Sequence, residues 1–427
     1  MAQPRIGIWF IGARGGVAST ATLGLVALKQ KRTQTTGLIS ALPQFARLDF
    51  VDWNALVVGG HEVREGTLDG SLDRLHRESR VFDAETLTAC RQELAAVDAR
   101  IRPGCLTNCG AAICELVGQS DYCPADDSPR ATIRRLQADL RNFQQQTHVD
   151  RVVVVNLAST EPATPIAALP PRWEDLSRLL DDVRSCPLTA SSLYAVAALD
   201  LGLAYVNFTP SAGATPPAIQ ELAESRGACH AGQDGKTGET LLKSVLAPMF
   251  AARNLEVLSW VGHNIFGNMD GQILDNPDNK SAKIKGKDQL LGPILGYDPQ
   301  SLVSIEYIRS MGDWKTAWDH IHFRGFLGTP MTMQFTWQGC DSLLAAPLVL
   351  DLVRFVELSA RSGETGVLSH LGSFFKRPLG LTDHDFSRQF SLLRTWAAEH
   401  APRPAPTNGS GCNRERTACS RWASHMC

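Results

Sequence analysis

The chain has 427 residues, 42 of them basic and 44 acidic, for a formal net charge of −2. Hydrophobic residues at 44% supply enough material for a core, which excludes disorder over most of the chain, and the balanced charge excludes a nucleic-acid partner held by bulk electrostatics. No apolar stretch approaches the roughly 18 residues a membrane span needs, and the N-terminus reads as a strand rather than a signal peptide. No membrane partner is expected, therefore, and the expected location is cytoplasmic.

Residues 5–11 form an apolar run with β character. Gly12, Ala13, Arg14, Gly15, Gly16, Val17, Ala18 and Ser19 follow, and a helical pattern then runs to about residue 29. Strand, glycine turn and helix are the context of a dinucleotide loop. Glycines let the backbone approach a pyrophosphate, and the helix N-terminus offers it unpaired N–H groups. The spacing is GxxGGxA rather than GxGxxG, a pattern that plain tight turns also use. An acidic residue should close the second strand and hold the ribose. With residues 36–40 taken as that strand, Asp49 and Asp52 come late, so NADP stays open beside NAD.

Residues 151–158 and 204–208 read as buried strands, and 173–184, 190–201 and 217–226 as helices. This alternation predicts an α/β protein with a Rossmann-like, doubly wound parallel sheet. Strands dominate further on, at 255–262, 302–308, 320–326 and 331–337, and indicate an inserted α+β unit with a mixed sheet. A long helix over 341–362 follows, capped by Asp341 and Ser342 and interrupted by Pro347. The expected division is residues 1–244 for the cofactor domain, 245–340 for the insertion, 341–400 for the return to the first domain, and 401–427 for a disordered tail.

Lysine usage is uneven. Of the 42 basic residues only 10 are lysine, and none lies between residues 32 and 235. Lys280, Lys283, Lys285 and Lys287 cluster, and Lys283 and Lys287 would share a face if that segment is helical. Lysine, unlike arginine, can lose its proton when desolvated or crowded by cations, so the cluster is either a solvated basic loop or chemical machinery. Lys236, Thr237, Gly238, Glu239 and Thr240 open another helix, either a phosphate site or an ordinary helix start. Glu239 is awkward beside a phosphate. His320 and His322 share a strand face without an evident third ligand, so no protein metal site is assigned. Cys105, Cys109, Cys114 and Cys123 match no common zinc spacing and read as reduced thiols.

Taken in order, the segments resemble the myo-inositol-phosphate synthases over about residues 5–380. GARGGVAST is similar to that family's NAD loop, VVGGHEV to FGGWDI, and VNLASTEP to WTANTER, with Ser159 in place of Asn. SSLYAVAAL and VNFTP resemble STLYAYAAL and INGSP. GQDGKTGETLLKS resembles GDDxKSGQTxxKS, GNMDG resembles GNNDG, SAKIKGK lines up with SKEISK, and GDWK with GDSK. DSLLAAP is repeated letter for letter, and the segment ending in Lys376 is similar to LSYxxKAPL. Gln233, Glu239 and Met269 depart from the family's Asp, Gln and Asn.

The resemblance implies an isomerase that turns D-glucose 6-phosphate into 1D-myo-inositol 3-phosphate by NAD-dependent oxidation, enolisation, aldol closure and re-reduction. It places Lys283, Lys315 and Lys376 around the reacting carbons, with Asn268 and Asp270 shaping the site. Lys287 would bind the phosphate with Thr237, Gly238, Glu239 and Thr240. Asp234 would face both nicotinamide and substrate, and Asp313 and Asp341 would orient lysines or cofactor. Some members use a cation, which Asp234 and Asp270 could help hold, and the family is typically homotetrameric through its inserted domain. Two other readings stand beside this one: a cyclase or dehydrogenase for another sugar phosphate, and a non-catalytic NAD-binding homologue.

Overall fold

The structure, a computed structural model, describes residues 4–118, 122–274 and 290–402. Strand β1 (Ile6–Ile11) is buried along its whole length, as a strand covered on both faces must be. Ile6, Ile8 and Phe10 enter one core cluster, and Trp9 and Ile11 enter another. The sheet around it adds β2 (Leu56–Glu62), β3 (Ile101–Pro103), β4 (Arg151–Asn156), β5 (Ala204–Asn207), β6 (Cys229–Gly232) and, from late in the chain, β11 (Gly366–Val367). Its order is β11-β6-β5-β4-β1-β2-β3, and every pairing is parallel.

One face packs on α1 (Gly16–Lys29), α2 (Leu68–Ser79) and α3 (Ala84–Asp98), joined by α12 (Asp341–Arg361) and α13 (Phe386–His400). The other packs on α5 (Pro129–Thr147), α6 (Trp173–Arg178), α7 (Ala190–Leu199) and α8 (Pro217–Ser225). Every residue of α7 is buried, the fate of a helix apolar on all sides. The chain proceeds outward from β1 through β2 and β3, then returns to build β4, β5 and β6 on the opposite side. The switch point between β1 and β4 is where such sheets leave a crevice at their carboxyl ends.

The second sheet has the order β10 (Pro330–Cys340), β9 (Trp314–Arg324), β7 (Glu256–Phe266), β8 (Gln300–Tyr307). It is mixed: β10–β9 and β9–β7 are antiparallel, and β7–β8 is parallel. α9 (Gly238–Ala252) and α11 (Leu291–Leu295) cover one face, where Phe250 packs with Trp260, Ile321 and Phe323. On the opposite face Leu302, Ile265 and Trp318 remain exposed, and His263 stacks on Trp318 with planes 7° apart. Among the described residues no helix is long and apolar enough to cross a membrane.

Several expectations need correction. Residues 36–40 form no strand. The N–H groups of Ile39 and Ser40 donate to the buried Asp351 carboxylate at 2.5 and 3.0 Å, which fixes a short 3-10 turn there. The second strand comes later, as β2. The helix expected over 173–184 is α-helical only to Arg178 and tightens into a 3-10 turn. Pro347 lies inside α12 without interrupting it. The cost of one lost N–H and the ring clash, about 3 kcal/mol, is outweighed by burial of Val349, Leu350, Leu352, Val353, Phe355 and Val356. Nor is α12 capped by its own first residues: Cys340 is its N-cap, and the capping acceptor is the side chain of Asp313. The expected tail lies outside the described residues beyond residue 402, as do Lys280, Lys283, Lys285 and Lys287.

Candidate active site

A cleft of about 710 Å³ opens at the switch point, between the carboxyl ends of β1, β2 and β4 and the edge of the second sheet. The glycine loop forms one wall. The N–H groups of Gly12 and Ala13 both donate to the carbonyl of His61 at the end of β2, at 2.9 and 3.0 Å. Gly12 holds φ +77°, and a Cβ there would lie 3.0 Å from the backbone of Ala158, so glycine is required for both reasons. Gly12, Arg14, Gly15, Gly16 and Val17 line the cleft, whereas Ala13, Ala18 and Ser19 do not and are buried. Arg14 reaches away from the loop, its Nε donating to Asp98 at 2.9 Å. The first-turn N–H groups of α1 have no intrahelical acceptor, and a pyrophosphate would satisfy them.

Glu62, the last residue of β2, is 2% exposed and lines the same cleft. Its carboxylate accepts from the N–H groups of Arg14 at 2.8 Å and Val63 at 2.9 Å. This is the position of a ribose-binding acid, and the sequence reading missed it. Asp49 instead pairs with Arg361, and Asp52 caps a turn by accepting from Asn54. The signal was present as an apolar run ending in His-Glu, but the intervening residues 30–55 displaced it beyond the usual spacing.

Across the cleft, Asp234 and Lys376 form a doubly tied pair. Nζ of Lys376 donates to Oδ1 of Asp234 at 2.9 Å, and the backbone N–H of Lys376 donates to the carbonyl of Asp234 at 2.7 Å. Both side chains are over nine-tenths buried yet line the cleft. Lys315, at the start of β9, stands 3.8 Å from Asp341 and sits over the ring of Phe266. Asp313 binds the start of α12: Oδ2 accepts from the Ser342 N–H at 2.8 Å, Oδ1 accepts from its hydroxyl at 2.9 Å, and the Cys340 thiol donates at 2.7 Å. Burial, and then the neighbouring Asp341, push the Asp313 carboxyl above its ordinary range. A Cβ on Gly16 would meet the Ser342 hydroxyl at 2.6 Å, so the N-termini of α1 and α12 converge here.

Asn268 precedes α10 (Met269–Leu274) and spans Asp313 and Asp341, with its amide nitrogen 3.4 and 3.5 Å from their carboxylates. Asp270 accepts from the Thr160 hydroxyl at 3.1 Å, and Ser159 lines the wall between. Thr237 also lines the cleft, at the start of α9. The structure therefore gathers Lys315, Lys376, Asp234, Asn268, Asp270, Ser159, Thr237, Asp313 and Asp341 around one space.

Three residues of the expected phosphate turn lie elsewhere. Gly238 and Thr240 do not line the cleft. The carboxylate of Glu239 is buried against Lys243 at 2.8 Å and Asn264 at 2.6 Å, which removes the conflict with a phosphate. Lys236 also turns away: Nζ donates to Gln389 of α13, and burial lowers its pKa to about 7. Asp319 points into the core and accepts from Trp260 Nε1 at 2.7 Å. Among the described residues no group of three or more His, Cys, Asp or Glu side chains is arranged to hold a metal ion.

Comparison with known proteins agrees with this architecture. The family model described as myo-inositol-1-phosphate synthase matches residues 6–397. An inositol-3-phosphate synthase from Bacteroides thetaiotaomicron is 30% identical, covering 92% of this chain and 94% of its own. A rat inositol-3-phosphate synthase is 28% identical, covering 88% of this chain and 74% of its own. Among solved structures, inositol-3-phosphate synthase from Caenorhabditis elegans superposes with a TM-score of 0.84 at 23% identity, covering 96% of this chain and 88% of that one. The seven-stranded sheet with its glycine loop, the separate mixed sheet and the near full-length match lead to one conclusion: the chain belongs to the myo-inositol-1-phosphate synthase family of NAD-binding isomerases.

Proposed function

We propose that the protein converts D-glucose 6-phosphate to 1D-myo-inositol 3-phosphate, with NAD regenerated in each turnover. The observation that carries this reading is that two lysines, each held by a carboxylate, face the cleft that the glycine loop opens. A simple dehydrogenase needs one acid–base group, whereas oxidation, enolisation and ring closure at neighbouring carbons need several cationic positions.

The residues fit the cofactor. The open N–H groups of α1 suit the pyrophosphate, and Glu62 suits ribose hydroxyls while repelling a 2′-phosphate, which favours NAD over NADP. When bound, NAD supplies a hydride acceptor that later returns the hydride to the sugar. The protein's own groups then do the rest. Lys376, tethered by Asp234, would hold charge on the developing alkoxide and enolate oxygens. Lys315 beside Asp341 would carry a proton to or from the adjacent position. Thr237 and the N-terminus of α9 would take the phosphate, together with Lys287, while Lys283 would complete the ring of cations. Asn268 and Asp270 would hold the shape of the site, and a cation of unspecified identity could join Asp270.

The protein assembles, in this reading, as a homotetramer through residues 245–340, with 1–244 and 341–400 forming the cofactor domain. The bare sheet face carrying Leu302, Ile265 and Trp318 supports this.

The test is an NMR assay with glucose 6-phosphate and substoichiometric NAD. Inositol phosphate in excess of the NAD present is expected. Reduced cofactor accumulating instead would identify a dehydrogenase, and turnover only with another sugar phosphate would identify a sister cyclase.

A further inference from the structure

Cys109 and Cys114 belong to no part of the proposed reaction, yet they stand beside the cofactor cleft. Their Sγ atoms are 3.6 Å apart. Cys109 is 3% exposed and lines the cleft, whereas Cys114 lies on the outer side of α4 (Ala111–Val117) and is exposed. Gly110, between them, holds φ +93° and serves as the N-cap of α4, so the backbone joining the two thiols turns at a residue without a side chain. A disulfide requires about 2.05 Å between the sulfurs, so about 1.5 Å of closure forms the bond.

We propose that Cys109 and Cys114 are a thiol-modification site that closes to a disulfide by exchange with a small disulfide of the glutathione type and thereby resets the wall of the cofactor cleft. The exposed Cys114 thiolate attacks one sulfur of the small disulfide, forming a mixed disulfide and releasing one small thiolate. Cys109 then loses its proton and attacks Sγ of Cys114, releasing the second. Two protein thiols are oxidised, one small disulfide is reduced to two thiols, and their two protons pass to the released thiolates. Burial, and the neighbouring Cys114 thiol, hold the Cys109 thiol well above its ordinary range, which assigns it the resolving role.

The coupling runs through α4. Ile113, Leu116 and Val117 of this helix line the cleft, and Ile113 packs with Cys109 and with Ile273 of α10. α10 begins beside Asn268 and carries Asp270. Drawing Cys114 toward Cys109 therefore moves one packed unit that borders the cofactor on one side and the site on the other. This coupling, though not the bond itself, rests on reading the cleft as the NAD site.

The full-length protein is incubated with oxidised glutathione, digested and mapped, and NAD is titrated into reduced and oxidised forms. A Cys109–Cys114 cross-link is expected in the wild type. Cys109→Ser should instead trap a glutathione adduct on Cys114, and Cys114→Ser should leave Cys109 unmodified. The oxidised wild type should bind NAD about fivefold or more weakly, with recovery on reduction, while oxidant-treated Cys114→Ser should keep the affinity of the reduced protein. A stable adduct on wild-type Cys114 without closure, or a link from Cys114 to Cys105 or Cys123, would overturn the site. Equal NAD affinity of the two forms would overturn the coupling. Absence of NAD binding in both would sink the cofactor reading and the coupling together while leaving the cross-link standing.

Discussion

Lys376 reaches the cleft from a loop near the end of the chain, and Asp234 reaches it from the turn after β6, 142 residues away in sequence. The pair is tied by both side chain and backbone, so it holds an ammonium group where free rotation would otherwise blur it. Replacing Lys376 with Ala should lower turnover by about 10²–10⁴-fold and leave NAD affinity nearly unchanged, since the cofactor contacts proposed above are chiefly those of α1 and Glu62. Steady-state rates and a cofactor titration on the same preparation check this. Turnover within tenfold of the wild type would remove Lys376 from the chemistry. At this scale much of the site was legible. The family resemblance singled out Lys315 and Lys376, and the carboxylates beside them occur in short glycine-bearing segments. Glu62 was not legible by spacing, because residues 30–55 separate α1 from β2. That Glu239 lies against Lys243 and Lys236 against Gln389 was not legible, because a sequence gives position along a helix start but not which way a side chain turns.

Elements are held in place by polar groups borrowed from other elements. α12 takes its capping acceptor from Asp313, and the 3-10 turn at Ile39–Ala41 takes its acceptor from Asp351 of α12. Such long-range caps explain why helix boundaries read from local residues, such as a cap at Asp341 or a break at Pro347, did not survive. Strand alternation and apolar runs were more reliable because burial of a sheet face depends on the pattern itself. Lys236 is the clearest case of an element held at a cost. Its amine anchors α13 through Gln389 while burial lowers its pKa from its ordinary value of 10.5 to about 7. Between pH 7 and 10.5 the unfolded chain therefore binds more protons than the folded one, so this group makes the protein more stable as pH rises through that window. Lys236→Met removes that dependence. Relative to the wild type, the variant should gain stability as pH falls from 10 to 7, by roughly 3 to 4 kcal/mol. Urea unfolding at several pH values measures the difference, and a constant offset across the window would show that Lys236 keeps its ordinary ionisation when folded.

The two sheets are unequal as free-standing units. Among the described residues the seven-stranded sheet is wrapped on both faces, but the mixed sheet is wrapped on one, with Leu302 at 53% and Trp318 at 38% exposure on the other. A four-stranded sheet with an apolar face normally buries that face against something, and among the described residues no helix packs on it. The alternation of strands pointed to the sheet, but the sequence could not show which face stayed bare, because α9 precedes the strands and covers them from one side only. A second copy of the chain is the partner we propose, and closed symmetry would let the same patch serve both subunits. Charge placed on this face should undo the assembly without touching the cleft, since neither Leu302 nor Trp318 lines it. The double variant Leu302→Glu and Trp318→Glu should run in size-exclusion chromatography with light scattering at a smaller mass than the wild type. Its NAD affinity should stay within about threefold, because both substitutions lie outside the lining of the proposed cofactor cleft. An unchanged tetramer would move the interface to another surface, and a wild type that is already monomeric would leave the bare face to a different partner.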